Sequence, residues 1–579
     1  MTAVSETPAP ATTPADPQEA GLLIRVLSSL LREDVVGLRT RGTLLTRPDG
    51  PWLRLPTADG ALLMPVEEDG FQCAYAARLP LLVRESDGTA LTSYGSVLAA
   101  LREQAEPVDR DGFDAFAEEC RQTLATLRLH AATKDEVLAG LGGDPAGWTG
   151  LGGGLAYDTL AARLDHPVYP TARGRSGLTE EQLRLYAPEF GARFQLRWLA
   201  VPRDALTLTG PLPARWPTPA TLGLPGLADT HLALPVHPLT VGAPLDEALR
   251  ASGLTGRAVL ADRAHLDVVP TLSMRTVAST DDPTLHLKLP LATATLGLRN
   301  KRTIKPGTLA DGAAGQRLLR AVTAREPRFR DTVLHADETT YAHAGHELLA
   351  VLCRRYPAGL DESAVVPMAA LLAEASDGRP VLDHLADRFH HGDPLALLDA
   401  VLTLLFDWQT TLFGYGIALE SHQQNISLVL GPGGPRLLLK DNDGPRINTT
   451  RLDAVLPGPW GFDDARVLGT DDGPVADLFT TITVHLCAGA YAFGLARHGH
   501  APLPALLDLV RDRLAQAVER LGGTAGAVLR ERVLDAPRLP VKAMVTAGTL
   551  LTKERSGAAD INKHYTTGPN YLRPAGRPS

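Results

Sequence analysis

The stretch Glu420-Ser-His-Gln-Gln-Asn-Ile-Ser-Leu-Val-Leu-Gly-Pro-Gly-Gly-Pro-Arg-Leu-Leu-Leu-Lys-Asp-Asn-Asp-Gly444 holds two apolar runs on either side of a Gly-Pro-Gly-Gly-Pro segment. Apolar runs that flank a glycine- and proline-rich segment predict a β-hairpin. A hairpin centred near Gly433 places residue 430 opposite residue 436 and Asn425 opposite Asp441. The polar residues at the two ends of the stretch are therefore predicted to meet at one end of the hairpin.

Oxygen-bearing side chains are common at that predicted strand end. Alternate residues of an extended chain share a face, so Glu420, His422 and Gln424 are predicted to point the same way. Glu420, Asn425 and Asp441 would together present hard oxygen ligands, which suit Mg²⁺ bound to substrate phosphates. A surface hairpin with polar ends is the alternative, but the clustering of these residue types favours a functional site.

A second cluster, within residues 273–302, is basic and rich in hydroxyl groups. Ser273 and Arg275 share a face of a strand predicted over residues 271–277, and Lys288 lies on the next predicted strand. The cluster continues with Thr295, Arg299 and Asn300-Lys301-Arg302. These cations could hold a triphosphate and a carboxylate, because arginine makes bidentate contacts with both. Ordinary solvated surface charge is the alternative.

Two loops upstream carry weaker signals. The loop His166-Pro-Val-Tyr-Pro-Thr-Ala-Arg-Gly-Arg-Ser-Gly177 contains two prolines that could fix the positions of His166, Arg173 and Arg175, although a rigid surface loop fits equally well. The cluster Gly150-Leu-Gly-Gly-Gly-Leu155 lacks the Gly-Lys-Ser/Thr ending of a phosphate loop. A turn or hinge is therefore predicted there.

Composition limits the class of protein. The chain has 579 residues, of which 44% are hydrophobic and 21% charged, as in a globular protein with a sizeable core. Its 57 basic and 66 acidic residues give a net charge of −9, which argues against a protein that coats nucleic acid. Four cysteines lie far apart without a Cys-x-x-Cys pair, so reduced thiols in a cytoplasm are expected rather than a zinc ribbon or a disulfide framework.

Neither a membrane span nor a signal peptide is predicted. The sequence contains no run of about 18 apolar residues, which a transmembrane helix would need. Residues 1–18 are rich in proline, alanine and threonine and have no basic residue, unlike a signal peptide. This stretch is predicted to be a disordered leader, and the chain is expected to be cytoplasmic.

The remaining sequence divides into three predicted domains: residues 19–155, 156–393 and 394–579. Helices are predicted over residues 22–31 and 113–127 of the first, whereas the second is richer in short strand-like runs. A strong helix signal opens the third, since Asp393 can cap it and Pro394 suits its first position.

Taken in order, these segments resemble the NRPS-independent siderophore synthetases, the aerobactin-synthetase-like IucA/IucC family. The matching motifs are His166–Gly177, Tyr186-Ala-Pro-Glu-Phe190, Ser273–Thr276, Lys288 with Thr295–Arg299, Glu420–Asn425 and Lys440–Gly444. The resemblance runs from about residue 156 to residue 572, over two thirds of the chain.

The resemblance implies an α+β fold shaped like a cupped hand around an ATP cleft. Residues 19–155 would form a helical thumb, residues 156–393 the β-rich fingers, and residues 394–579 an FhuF-like palm of mixed α/β structure. It also implies an enzyme that uses ATP and Mg²⁺ to adenylate a carboxylic acid, which an amine or hydroxyl then attacks. The partners would be small molecules, and the oligomeric state stays open between a monomer and the homodimer that the family often forms.

The resemblance also implies roles for individual residues. The implied contacts to ATP come from Ser273, Arg275, Thr276, Lys288, Arg299, Glu420, His422, Gln424, Asn425 and Asp441. The implied catalytic residues are His422, Arg299, Arg275 and Lys288. The implied metal ligands are Glu420, Asn425 and Asp441. The implied substrate-binding residues are His166, Tyr169, Arg173, Thr295 and Leu296.

Several of these positions depart from the family pattern. Tyr169 replaces a histidine, Arg173 a lysine and Leu296 a serine, and Lys440 replaces an arginine. Leu296 lacks a hydroxyl that could bind a polar acid such as citrate. A less hydroxylated acid is therefore expected, such as a succinyl-hydroxamate or a citryl monoamide offered tail-first.

Two other functions fit part of the pattern. A kinase-like phosphotransferase also places an asparagine and a later aspartate on Mg²⁺, as Asn425 and Asp441 could be placed. No glycine-rich nucleotide loop precedes them, which disfavours that alternative. A binding protein that has lost catalysis is the other alternative, and the retained Arg275, Lys288 and His422 argue against it.

Overall fold

The computed structural model describes residues 16–557 and 564–573. Its first helix, Pro17–Arg32, is capped by Asp16, whose side chain accepts a hydrogen bond from the Gln18 backbone at 2.9 Å. The predicted disordered leader is therefore too long at its C-terminal end, because the helix already includes residues 17 and 18. The rest of that prediction, residues 1–15, lies outside the described residues.

A six-stranded antiparallel sheet and four further α-helices follow, the last of which extends past the predicted domain boundary at residue 155. The strands are Thr43–Arg47, Gly50–Thr57, Gly60–Glu68, Tyr75–Ala77, Leu82–Arg84 and Ala90–Leu91. The helices are Tyr94–Glu103, Arg110–Ala132, Lys134–Leu141 and Gly150–Ala162. Both helices predicted in this region are thus confirmed.

The glycine cluster at residues 150–154 begins the helix Gly150–Ala162, so the predicted turn or hinge is wrong. A Cβ atom on Gly154 would lie 3.1 Å from the carbonyl oxygen of Val365. The glycines therefore let this helix pack closely against the strand Ala364–Pro367, at the expense of helix propensity.

A nine-stranded sheet forms the centre of the second predicted domain. In spatial order its strands are Val259–Leu260, Phe194–Pro202, His265–Pro270, Thr276–Ser279, Leu285–Lys288, Ala350–Arg355, Asp337–His343 and Thr207–Thr209, while His231–Val236 also pairs with Phe194–Pro202. The α-helices of this region are Glu180–Tyr186, Ala243–Ala251, Pro306–Arg325 and Val381–Phe389. The helix Pro306–Arg325 packs against the strand Asp337–His343.

The strand predicted over residues 271–277 is wrong in its first half. Residues 271–275 turn between two strands, because Met274 has a left-handed φ of 63° and the Ser273 hydroxyl accepts a hydrogen bond from the Thr276 backbone at 3.1 Å. Ser273 and Arg275 therefore do not share a strand face. Hydroxyl side chains favour turns through such local bonds.

The third predicted domain is mostly helical. Its α-helices are Pro394–Gly414, Thr449–Val455, Gly473–Leu478, Ala490–Arg497, Leu503–Leu521, Gly523–Leu529 and Lys553–Ser556, and the segments Phe479–Gly489, Arg530–Leu534 and Thr546–Leu550 are π-helical. The helix Val381–Phe389 precedes them. Asp393 caps the helix Pro394–Gly414 as predicted, accepting hydrogen bonds from the backbone of residues 395 and 396.

Three small sheets complete the part of the fold that residues 16–557 and 564–573 form. The first contains Val333–His335, Arg436–Leu439, Ile426–Leu430 and Ala364–Pro367; the second Ile417–Ala418, Arg446–Asn448 and Leu468–Gly469; the third Arg538–Lys542 and Tyr565–Pro569. The α+β class is confirmed. The largest apolar cluster runs from Leu22 to Leu572 and takes residues from all three predicted domains, whose boundaries stay a prediction.

The predicted hairpin is present, but its register differs by one residue. Val429 pairs with Arg436 and Ile426 with Leu439, so Asn425 lies opposite Lys440 instead of Asp441. The connection has six residues where the prediction assumed five, which shifts the pairing. Asp441 consequently lies beyond the hairpin, in a left-handed conformation with φ 57°.

Two helical stretches of the described chain, Pro394–Gly414 and Gly473–Arg497, are long and apolar enough to cross a bilayer. In their most apolar windows, 61% and 100% of the residues are buried inside the protein. Length and composition alone are weak evidence for a span, because buried core helices have the same character.

Candidate active site

A cavity of about 310 Å³ opens between the nine-stranded sheet and the turn that follows the hairpin. Its charged lining residues are Arg275, Lys288, Lys301, Lys305, Glu338, Glu420, Asp441, Asp443, Arg446, Asp464 and Arg466. Hereafter this cavity is called the cleft. Its size lies within the usual range for small-molecule sites.

Asp441 is the centre of a buried ion-pair network at the cleft. Its Oδ1 lies 2.5 Å from Nζ of Lys288 and 2.9 Å from Nη2 of Arg354. The side chains of these cations are only 6% and 2% exposed. Burial would raise the pKa of Asp441, yet the charges of Lys288 and Arg354 hold that pKa well below its ordinary value. Asp441 therefore stays ionised and fixes the position of Lys288.

Glu338 supports the same turn from the adjacent strand. Its Oε1 accepts hydrogen bonds from Nε of Arg354 at 2.5 Å and from the backbone N–H of Asp441 at 3.0 Å. No motif in the sequence indicates Glu338. Arg354 gives a faint signal, as an arginine inside the apolar strand Ala350–Arg355.

Arg275 lines the cleft and donates a hydrogen bond from Nη1 to the Thr303 carbonyl at 2.7 Å. Burial lowers its pKa, which Asp441 and Asp443 oppose. Ser273 and Thr276 are not among the lining residues of the cleft.

The Glu420–Asn425 segment is a compact turn, so the predicted extended chain is wrong. The backbone N–H of His422 donates to the Glu420 carbonyl at 2.9 Å, and that of Asn425 to the His422 carbonyl at 2.8 Å. The Asn425 amide also donates to the Glu420 carbonyl at 3.0 Å. Glu420 itself lines the cleft, where its Oε1 lies 3.3 Å from Nζ of Lys542.

His422 is held as a neutral ring beside these groups. Its Nδ1 accepts a hydrogen bond from the Gln424 backbone at 3.3 Å, which places the proton of the neutral ring on Nε2. Burial, together with the charge of Lys542, lowers the pKa of His422 to about 4. The ring can therefore donate from Nε2 to a substrate oxygen near neutral pH.

The loop of residues 295–299 lies next to the cleft but does not line it; its neighbours Asn300 and Lys301 do. Thr295 Oγ1 accepts a hydrogen bond from Nε of Arg302 at 2.6 Å. Leu296 has a left-handed φ of 56° and packs against the largest apolar cluster.

Of the predicted loop residues, His166 lies near His422. Its Nδ1 accepts backbone hydrogen bonds from Val168 and Tyr169 at 3.2 and 3.1 Å. Burial, followed by the charge of His422, lowers its pKa to about 3. Arg173, by contrast, is paired with Asp165 at 2.8 Å.

Among the described residues, no group of three or more His, Cys, Asp or Glu side chains forms a metal cage. Glu420, Asp441 and Asp443 nevertheless line one cleft. Mg²⁺ that is bound mainly through phosphates needs only one or two protein carboxylates. The residues present therefore fit a phosphate-bound Mg²⁺ better than a site made by protein alone.

Two family models match the chain. Residues 155–373 match the IucA / IucC family, and residues 396–557 match the model described as ferric iron reductase FhuF-like transporter. The four cysteines are buried, and none of them is in a disulfide.

Similar proteins cover nearly the whole chain. The rhizobactin siderophore biosynthesis protein RhbC of Rhizobium meliloti is 26% identical over 90% of this chain and 92% of its own length. The crystal structure of the petrobactin biosynthesis protein AsbB from Bacillus anthracis superposes with a TM-score of 0.74 at 17% identity, over 95% of both chains.

The structure of ATP-bound aerobactin synthetase IucA from Klebsiella pneumoniae has a TM-score of 0.69 at 19% identity, over 96% of this chain and 99% of its own. These likenesses confirm the predicted cupped-hand α+β fold.

Proposed function

This chain belongs to the IucA/IucC family of siderophore synthetases, and from that premise we propose that it uses ATP to activate a carboxylic acid and joins the acid to an amine. A siderophore-synthesis ligase is the function that the relatives support. The kinase-like alternative is not favoured, because no relative named above is a kinase.

The observation that carries the proposal is the set of cations fixed at the cleft. Lys288 and Arg275 both line it, and Asp441 holds Lys288 through a short ion pair. An acid anion is repelled by the phosphates of ATP, so cations at fixed positions must offset that repulsion. The structure of the Klebsiella pneumoniae synthetase was solved with ATP bound, which supports the use of ATP by this chain.

The proposed reaction has two steps. A carboxylate oxygen attacks the α-phosphorus of ATP, and the bond between the α- and β-phosphates breaks. Pyrophosphate leaves, and an acyl-adenylate remains in the site. The amine then attacks the acyl carbon, AMP leaves with the electron pair of the broken acyl–oxygen bond, and the amine nitrogen loses a proton to water. Splitting amide formation in this way replaces one hard step by two easier ones.

Magnesium fits this proposal on grounds of charge. The lining of the cleft contains six Lys or Arg and five Asp or Glu residues, so its charge is nearly balanced. When bound, Mg²⁺ would offset phosphate charge and stabilise the charge that develops during transfer. Glu420 and Asp441, with Asp443 beside them, would hold it.

His422 and the neighbouring loops would bind the carboxylic acid. The Nε2 proton of His422 is suited to a hydrogen bond with an oxygen of the acid or the adenylate. Thr295, Leu296 and Arg299 would bind the acid, with His166 and Tyr169 nearby. Location in the cytoplasm and assembly as a homodimer stay predictions.

The first test identifies the products. With ATP, Mg²⁺ and a panel of di- and tricarboxylic acids, hydroxylamine should trap the activated acid as a hydroxamate while AMP and pyrophosphate accumulate. Chromatography of the nucleotides and a colorimetric hydroxamate assay measure both. ADP and phosphate in place of AMP would establish the phosphotransferase instead.

Leu296→Ser tests the predicted acid specificity. A hydroxyl at this position should raise kcat/KM for citrate several-fold relative to succinyl-type acids, because it adds a partner for a polar acid. The expected gain is about 1 kcal/mol, the net value of one hydrogen bond. Pyrophosphate release with each acid is the measurement.

Leu298→Ser is the matched control, since Leu298 lies two residues further along the same loop and is 49% exposed. It should leave the ratio between the acids unchanged. An unaltered ratio in Leu296→Ser as well would remove the support for a role of Leu296 in specificity.

A further inference from the structure

Glu119, on the helix Arg110–Ala132 of the first predicted domain, reaches across to the loop of residues 295–299. Its Oε1 accepts hydrogen bonds from the backbone N–H of Leu298 at 2.8 Å and from Thr549 Oγ1 at 2.5 Å. Its Oε2 accepts from the hydroxyls of Tyr169 and Thr171, both at 3.1 Å. One carboxylate thus joins three segments that are far apart in the sequence.

These segments include most of the proposed acid-binding residues. Tyr169 belongs to the His166–Gly177 loop, and Leu298 lies between Leu296 and Arg299. The third segment, Thr546–Leu550, contacts that loop at Arg299. Glu119 lies outside the residues that match either family model, so no motif points to it.

The loop of residues 295–299 and the segment Thr546–Leu550 touch through their backbones. A Cβ atom on Gly297, whose φ is 108°, would lie 2.9 Å from Cα of Gly548. The backbone N–H of Arg299 donates to the Gly548 carbonyl at 3.1 Å. Such close approach requires glycine at residue 297, and it means that a shift of either segment moves the other.

The opposite end of Thr546–Leu550 is also anchored from the first predicted domain. The carboxylate of Glu33 accepts hydrogen bonds from the backbone N–H groups of Val545 at 3.0 Å and Thr546 at 2.7 Å, and from the Thr546 hydroxyl at 2.8 Å. Two carboxylates therefore bind this segment at its two ends: Glu33, directly after the helix Pro17–Arg32, and Glu119, on the helix Arg110–Ala132.

The chemistry of the Glu119 site requires a carboxylate. All four partners of Glu119 are neutral donors, and a carboxylate has about four acceptor positions to meet them. Burial raises the pKa of Glu119 above its ordinary value, although the hydrogen bonds from Thr549, Thr171 and Tyr169 oppose that shift. A glutamine has only one acceptor oxygen, so its NH₂ group would face two donors.

We propose that Glu119 is a positioning residue that fixes the loop of residues 295–299 against Thr546–Leu550 and so sets the affinity of the enzyme for its carboxylic acid. This inference rests on the proposed acid-binding role of that loop. None of the four hydrogen-bond partners of Glu119 lines the cleft, so its effect should be on the acid and not on ATP.

Glu119→Gln in the full-length protein is the test. The KM for the acid that best supports pyrophosphate release should rise at least tenfold, while the KM for ATP stays within twofold of the wild type. Thr549→Val, which removes one of the four donors, should shift the acid KM in the same direction by a smaller factor.

Glu118→Gln is the matched control, because Glu118 is adjacent in sequence but exposed, and pairs with Arg121 and Gln122 on its own helix. It should match the wild type in both constants. Equal changes in the KM values for acid and ATP in Glu119→Gln, or no change in either, would overturn the proposal.

A measurement that does not depend on catalysis distinguishes a failure of this inference from a failure of the proposed function. Hydrogen exchange of the Leu298 and Arg299 amides should be at least tenfold faster in Glu119→Gln than in the wild type and Glu118→Gln. If the wild type activates no acid, the proposed function is wrong, but this measurement still tests whether Glu119 positions the loop. Unchanged exchange in Glu119→Gln would overturn the positioning role by itself.

Discussion

Asp441→Asn should lower acid-dependent pyrophosphate release at least about 100-fold, the usual effect of losing one preorganised charge in an active site. The substitution removes the partner that holds Lys288 at 2.5 Å and Arg354 at 2.9 Å. Breaking a buried ion pair from one side also destabilises a protein by about 3–5 kcal/mol, because the remaining charge loses its compensation. Arg354 keeps Glu338, so the lower end of that range is expected.

The backbone should not contribute to this effect. Asp441 has a φ of 57°, and asparagine tolerates the left-handed region as well as aspartate does. Urea unfolding followed by circular dichroism separates the stability change from the loss of turnover.

Asp443→Asn is the matched control for Asp441→Asn. Asp443 is two residues away and 39% exposed, and its Oδ2 lies 3.4 Å from Nζ of Lys288. It should leave stability within about 1 kcal/mol of the wild type, as is usual for exposed ion pairs. Equal effects of the two substitutions would show that the buried network is not what positions Lys288.

The free energy of unfolding should fall steeply between pH 6.5 and pH 5. Burial lowers the pKa of His130 to about 2, of His237 to about 3 and of His485 to about 4. Each is neutral in the folded protein but takes up a proton near pH 6.5 when the chain unfolds. The stabilisation is therefore complete above pH 6.5 and is lost as the pH falls toward the folded pKa values.

The expected slope follows from proton uptake. One extra proton bound by the unfolded chain changes the free energy of unfolding by about 1.4 kcal/mol per pH unit, so these three histidines contribute about 4 kcal/mol per pH unit well below pH 6.5. His166 and His422, whose pKa values are also lowered by burial, add to this slope. The total free energy of unfolding of a native protein is only about 5–15 kcal/mol. Urea titrations at pH 7.5, 6.5 and 5.5 measure the slope.

A single substitution isolates one histidine. His237 Nδ1 accepts a hydrogen bond from the Leu239 backbone at 3.1 Å, which an asparagine oxygen can also accept. His237→Asn should reduce the slope by about 1.4 kcal/mol per pH unit, whereas substitution of the exposed His498 by asparagine should leave it unchanged. A slope that is the same in all three proteins would contradict the buried-histidine explanation.

Local patterns were enough to predict much of the fold. The helix Pro394–Gly414 starts at its predicted cap, and the strands Ile426–Leu430 and Arg436–Leu439 appear where the apolar runs predict them. Residues 271–275 and 420–425 were predicted as extended and are turns. In both cases, short hydrogen bonds to nearby carbonyl or hydroxyl groups outweigh the alternation of the sequence.

The sequence alone predicted the family resemblance and the α+β fold class, and it pointed to the cations Arg275 and Lys288, because motifs and apolar periodicity are local properties. Only the tertiary structure revealed the contacts of Glu338, Arg354 and Glu119. Glu119 is separated from its partner Thr549 by 430 residues, and Glu338 from Asp441 by 103. Contacts between such distant residues depend on how the sheets and helices pack, and a carboxylate that meets its donors only in the folded chain leaves no pattern along the sequence.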